Sequence, residues 1–294
     1  MIRLGTRGSA LALAQARSVA ERLPGEVRLA TITTSGDRGS RDDKSRFVKE
    51  LEEALLAGEV DLAVHSAKDV PGELPEGLSI VGVPARADPM DALCGAPSLD
   101  ALAEGAVVGT ASVRRRAQLL ALRADLEVRE LRGNVDTRLR RLAEDGFDAI
   151  VLARAGLIRL DRASEGSSLP ALVPAPGQGC LVLEARADDA LTAEAAAVLT
   201  DADALTALTA ERAVVTALEA TCHTPIGAHA RPRDGTLRLT AFVGLPDGSH
   251  WIRDELDGDA ADPAAHGREV ARRLATAGAR ELLAEAERAA GARS

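Results

Sequence analysis

Over its first two hundred residues the chain alternates short apolar runs with stretches of helical periodicity, and this alternation limits its folds most strongly. MIRLGT reads as a strand, and residues 9–23 follow with apolar side chains on one stripe, as in a helix. VRLATITT is a second strand. FVKELEEALLAG is a helix that Gly58 terminates, and DLAVHSA is a buried strand whose end delivers Lys68 and Asp69. A β-α-β-α-β order predicts a parallel sheet covered by helices on both faces. The pattern then restarts: AVVGTAS runs into VRRRAQLLALRA, LEVREL into NVDTRLRRLAED, and FDAIVLA closes the round.

LGTRGSALALAQA and VGTASVRRRAQLL resemble each other weakly, each a strand ending in Gly-Thr before a helix start with serine and arginine. Two similar α/β halves facing each other across a cleft are therefore expected, with crossings near 84–90 and 174–180 that Pro84, Pro89, Pro174 and Pro176 punctuate. A third unit starts near residue 204. It has a helix over 205–218, strands RLTAFVGL and SHWIRDEL joined by a turn at Pro246, Asp247 and Gly248, and a closing helix over about 264–288. The expected architecture is α/β with a smaller α+β C-terminal part. Its domains are 1–84 with 180–198, then 89–176, then 204–294.

Composition narrows the function. With three Phe, one Trp and no Tyr, the chain lacks the aromatic platforms that single-stranded nucleic acid stacks on. A net charge of -9 disfavours nucleic acid and acidic membranes alike. No apolar run is long enough to span a bilayer, and the N-terminus lacks a signal peptide's order of regions, so a cytoplasmic location is expected. Cys94, Cys180 and Cys222 are widely spaced and form neither a disulfide framework nor a metal motif. Their ordinary fate is that of small buried hydrophobes.

Against this acidic background residues 114–141 hold nine arginines and four acids. Arg123, Arg129, Arg140 and Arg141 read as a solvated helix face. Arg114 and Arg115 do not, because they occupy the first turn of a helix, where the dipole opposes a cation and favours an anion. Arg7 and Ser9 repeat that geometry, and Arg132 precedes a Gly133-Asn134 turn that aims it out of the sheet. In α/β sheets ligands gather beyond the carboxyl ends of strands. Arginine forks match carboxylates in pairs, and the chain has no GxxxxGK[ST] or GxGxxG loop for a nucleotide. The reading is a small substrate bearing several carboxylates. Two rivals remain, a noncatalytic anion-binding protein with an inert Cys222 and a nucleic-acid-binding arginine face.

VDLAVHSAKDVPGELPEGL and LEATCHTPIGAHA resemble the hydroxymethylbilane synthase (porphobilinogen deaminase) family of tetrapyrrole biosynthesis. TRGSALALAQA, DPMDAL, VVGTASVRRRAQL, LRGNVDTRL, FDAIVLARAGLIRL and PAPGQGCLVLEAR follow in the family's order. The resemblance implies two halves like those of periplasmic solute-binding proteins and a third domain carrying the cofactor cysteine. It implies that four porphobilinogen units are joined head to tail, with loss of ammonia, into linear hydroxymethylbilane. The implied cofactor is dipyrromethane, held by a thioether to Cys222.

By the same resemblance Asp69 is catalytic, stabilising positive charge and relaying protons. Lys68, Ser112, Arg114, Arg115, Arg132 and Gln178 bind the cofactor, and Arg7, Ser9, Arg138, Arg159 and Phe47 bind substrate. Porphobilinogen is the small-molecule partner of a monomer, with no nucleic acid, membrane or metal. The chain departs from the family at RGSRDDKSR, residues 38–46, which is shorter than usual and lacks a glycine run; Lys44 is the candidate loop lysine. His223 and Thr224 also replace the cysteine's usual neighbours.

Overall fold

The computed structural model describes residues 1–33, 48–221 and 224–291. Phe47, the whole 38–46 segment and Cys222 therefore lie outside the described residues. The chain divides into two compact units, residues 1–87 with 179–205, and residues 88–178 with 206–294.

In the first unit β1 (Ile2–Arg7), β2 (Val27–Ile32), β3 (Leu62–Ser66), β4 (Leu78–Gly82) and β10 (Leu181–Arg186) form one sheet in the order β2-β1-β3-β10-β4. Side chains alternate across β3 as the strand period requires. Leu62 and Val64 pack with Ala16 and Val19 of α1 (Ala10–Ala20), whereas Ala63 packs with Leu51 and Leu55 of α2 (Lys49–Leu56) on the opposite face. A polar cap starts α1, where Ser9 accepts from Ala12 N.

The second unit repeats the plan. Its sheet comprises β5 (Asp91–Cys94), β6 (Val107–Gly109), β7 (Glu127–Arg129), β8 (Ala149–Ala153) and β9 (Ser167–Leu169), ordered β7-β6-β8-β5-β9. The helices α3 (Val113–Leu122), α4 (Val135–Glu144) and α5 (Arg154–Arg159) follow β6, β7 and β8 in turn. Both sheets are mixed, which corrects the expectation of parallel ones. Only β2-β1-β3 and β7-β6-β8 run parallel; β10 is antiparallel to both its neighbours, and so is β5. Periodicity reports which faces of a strand are buried, not its direction. The two reversed strands are those that follow the proline-marked crossings.

After α6 (Ala190–Ala197), the helix α7 (Ala202–Ala217) leads into an antiparallel sheet of β11 (Ile226–Arg233), β12 (Thr236–Gly244) and β13 (Trp251–Asp259). Ala210, Val214, Val270, Leu274 and Leu283 form its core with Ala228, Leu237 and Leu239. The single expected terminal helix is two, α8 (Pro263–Thr276) and α9 (Ala279–Gly291), because Gly278 takes φ +99° between them. The turn before β13 is where it was expected, with Gly248 N bonded to Leu245 O at 3.0 Å. A Cβ on Gly248 would lie 2.5 Å from Ala121 N, so only glycine lets this turn seat on α3.

Glu211 fastens α7 to its surroundings. It is fully buried and accepts from Gly177 N at 2.6 Å and from Ala230 N at 2.8 Å. Replacing it with Ala orphans both buried donors, so Glu211→Ala should cost about 2–5 kcal/mol in chemical denaturation. An unchanged midpoint would show that these two bonds contribute nothing.

Candidate functional site

Each sheet sends its polar candidates to the same place, the carboxyl ends of its three parallel strands. In the first unit β1 ends at Arg7 and is followed by Ser9, the cap of α1. β3 runs into a single 3-10 turn over Ala67–Asp69, held by Ala67 N to Cys180 O at 3.1 Å and Val70 N to Ala67 O at 3.3 Å. This short turn sets Lys68 and Asp69, both half-buried, at the strand's tip. The Asp69 carboxylate has no hydrogen-bond or ion-pair partner among the described residues. On the neighbouring face Gln15 Nε2 donates to Ser66 Oγ at 3.1 Å.

In the second unit β6 leads to Ser112, the cap of α3, whose hydroxyl accepts from Arg115 N at 3.4 Å. β7 leads to Arg132 and then to α4, capped by Asn134 and carrying Arg138. β8 leads to α5, which ends on Arg159. Ser112, Arg132, Arg138 and Arg159 thus follow three adjacent strands, as Arg7, Ser9, Lys68 and Asp69 follow two. Arg132 is exposed and paired with Glu130, and Arg138 and Arg159 are half-buried.

Arg114 and Arg115 do not point into solvent. They are 4% and 5% exposed, and both are bound to Asp91, which is 0% exposed. Arg114 Nη1 and Nη2 reach Asp91 Oδ2 and Oδ1 at 2.8 and 3.2 Å, and Nη1 also donates to Val173 O at 2.7 Å. Arg115 Nε and Nη2 reach Asp91 Oδ1 at 2.9 and 2.7 Å, and Nη1 donates to Val151 O at 2.8 Å. Gln178 Nε2 joins the same oxygen at 2.9 Å and Pro89 O at 2.8 Å. Burial alone would raise the Asp91 carboxyl, but the two guanidiniums outweigh it and hold Asp91 well below the usual carboxylate range. Burial lowers Arg115, and Asp91 opposes that shift.

Asp91 is the residue that sequence reasoning passed over. DPMDAL carried the resemblance, but no role was read from it. The signal was present: an ionisable side chain heading the buried strand DALC requires a charged partner, and arginine-rich α3 could supply one. The arginines read as a solvated face pair locally instead, Arg123 with Asp125, Arg129 with Glu127, Arg140 with Glu144 and Arg141 with Asp145. Cys94 and Cys180 are buried, and burial pushes the Cys94 thiol up to about 11. Among the described residues no cluster could hold a metal ion, and no helix is long and apolar enough to cross a membrane.

The residues also fit a ligand with carboxylate groups. Two buried guanidiniums against one carboxylate leave a surplus positive charge, and Arg114 Nε, also buried, has no hydrogen-bond partner among the described residues. A second, negatively charged acceptor would offset the charge and take the Nε–H bond.

Two α/β sheets of one strand order followed by an α+β C-terminal part place the chain in the class of α/β proteins built from a repeated five-stranded mixed sheet. The chain is similar to the second substrate binding domain of a putative amino acid ABC transporter from Streptococcus pneumoniae, at 11% identity, 66% of this chain, 88% of that chain and TM-score 0.43. The family models narrow the class. The porphobilinogen deaminase dipyromethane cofactor binding domain matches residues 2–194, and the porphobilinogen deaminase C-terminal domain matches residues 205–276. The chain belongs to the porphobilinogen deaminase family. The porphobilinogen deaminase of Thermus thermophilus is 50% identical over 96% of this chain and 98% of that protein. That of Deinococcus radiodurans is 47% identical over 96% and 97%.

Proposed function

We propose that the chain joins four porphobilinogen molecules head to tail into linear hydroxymethylbilane, releasing ammonia at each addition, on a dipyrromethane primer held by Cys222. The observation that carries this reading is the matched placement of cations and capping serines beyond parallel strands in both sheets. Each porphobilinogen brings two carboxylates, which is why an acidic chain concentrates arginine there. When bound, the primer supplies the electron-rich pyrrole carbon to which the first substrate couples.

The chain's own residues do the rest. Arg7, Ser9, Arg138 and Arg159 hold the acetate and propionate groups of substrate by charge-assisted hydrogen bonds, and Phe47 is the further substrate-binding residue of this reading. Lys68, Ser112, Arg114 and Arg132 hold the carboxylates of the cofactor. Asp69, set on a rigid turn, accepts the pyrrole N–H of the reacting unit, stabilises the positive charge that develops as ammonia leaves, and takes up or returns the proton at its Oδ atoms. Cys222 anchors the cofactor from the third of three domains, 204–294. The protein acts as a cytoplasmic monomer, and its net charge of -9 keeps it from nucleic acid and acidic membrane.

Incubation with porphobilinogen tests this. One ammonia should appear for each substrate consumed, and mass spectrometry should find a linear tetrapyrrole. Substrate binding without ammonia release would instead identify a noncatalytic anion-binding protein.

A further inference from the structure

We propose that Asp91 is a positioning residue that aims Arg114 at a cofactor carboxylate, and that Arg115 and Gln178 serve Asp91 rather than the cofactor. This rests on the reading that Arg114 meets the dipyrromethane. The resemblance puts Arg114, Arg115 and Gln178 together as cofactor ligands, but their hydrogen bonds divide them.

All three nitrogens of Arg115 are engaged by protein, two on Asp91 Oδ1 and one on Val151 O of β8. The amide nitrogen of Gln178 is shared between Asp91 Oδ1 and Pro89 O. Arg114 spends Nη1 and Nη2 on Asp91 and Val173 O, and its Nε, buried, finds nothing among the described residues. A guanidinium held at both Nη ends by a fixed carboxylate and a backbone carbonyl cannot swing, so Nε keeps one direction. That is the arrangement of a preorganised donor whose orientation is set before the ligand arrives.

Charge divides the roles the same way. Asp91 neutralises one of the two arginines and not both, so the cluster carries one positive charge at a buried site. Arg115 with Asp91 alone would be a neutral buried pair, complete without any ligand. Adding Arg114 creates the surplus that an incoming carboxylate offsets. The backbone ties the cluster to the third domain as well. Val173, whose carbonyl takes Arg114 and Gln118 Nε2, precedes Pro174, whose carbonyl accepts from Ala228 N on β11 at 3.0 Å. β11 begins four residues after Cys222. The aim of Arg114 and the start of β11 are therefore referenced to one short segment.

Two measurements on the full chain separate these roles. Intact mass gives the fraction carrying a dipyrromethane adduct in Arg114→Gln, Arg115→Lys and Asp91→Asn. Thermal unfolding of the same substitutions in a Cys222→Ser background gives their cost where no cofactor is attached. Arg114→Gln should cut the adduct fraction at least tenfold, yet in the Cys222→Ser background lower the Tm less than Arg115→Lys does, because it removes the surplus charge. Arg115→Lys should lower the Tm by about 3 °C or more in that background and reduce loading only as far as it unfolds the protein. Asp91→Asn should lower both loading and Tm. Should Asp91→Asn fail to fold, Gln178→Leu, which removes a single bond to Asp91, should still shift Tm and loading in the same direction.

An Arg115 variant that folds normally but cannot load, or an Arg114 variant that loads normally, would overturn the assignment. An adduct persisting in Cys222→Ser would instead refute the underlying placement of the cofactor, and so marks a different failure.

Discussion

Asp69→Ala is expected to fold, carry its cofactor and turn over porphobilinogen at least about a hundredfold more slowly, on the scale of a positioned acid–base or charge-stabilising group. The turn that presents Asp69 is fixed by backbone bonds from Ala67 N and Val70 N, and no described residue depends on the Asp69 side chain. Its loss therefore removes chemistry and not structure. Asp69→Asn keeps the shape and discards the charge, so it should be impaired nearly as much as the alanine variant. Asp69→Glu retains the charge about one methylene out of place and should recover part of the rate. Single-turnover ammonia release, with intact mass on the same samples, separates a loss of kcat from a loss of cofactor. Wild-type rates in Asp69→Asn would move the catalytic charge elsewhere.

Much of this site was legible because strand ends are legible. A run such as DLAVHSA ends where apolar alternation ends, and the next polar residues then lie beyond the strand's carboxyl edge, where ligands collect in α/β folds. Lys68 and Asp69, Arg7 and Ser9, and Arg132 are where that argument puts them. The helical caps at Ser9, Ser112 and Asn134 are equally local, since each needs only a hydroxyl or amide oxygen three residues before a free N–H.

What was not legible depends on partners far apart in sequence. Arg114 and Arg115 look like neighbours of one kind on a helix start. Only a strand 23 residues upstream shows that Asp91 ties them down and leaves one nitrogen of Arg114 unspent. The reversal of β5 and β10 was hidden because an antiparallel and a parallel strand buried on both faces read alike. β11 went unread because IGAHARPR mixes Gly, His and Pro into a strand. Pro232 and the residues beside it occupy its far, exposed end. The break between α8 and α9 turns on one glycine, Gly278, within a continuous alanine- and arginine-rich pattern.

Cys222→Ser should abolish the covalent adduct and all hydroxymethylbilane formation while leaving a folded chain. A thiolate attacks the methylene that porphobilinogen exposes when ammonia departs; a serine hydroxyl stays protonated at neutral pH and is a far weaker nucleophile. The other two sulfurs supply the internal control. Cys94 is fully buried on β5, with its thiol pushed up to about 11 mainly by burial, and Cys180 is buried beside β10. Neither can present a thiolate to substrate, so Cys94→Ser and Cys180→Ser should keep the adduct whatever they cost in packing. The mass difference between wild type and Cys222→Ser should equal two pyrrole units, apart from the single oxygen-for-sulfur exchange. An adduct that survives in Cys222→Ser and vanishes in either other variant would move the anchor. An adduct absent from all four proteins made in cells that synthesise porphobilinogen would remove the primer from the mechanism. The arginines beyond β6, β7 and β8 would then have to be explained by free substrate alone.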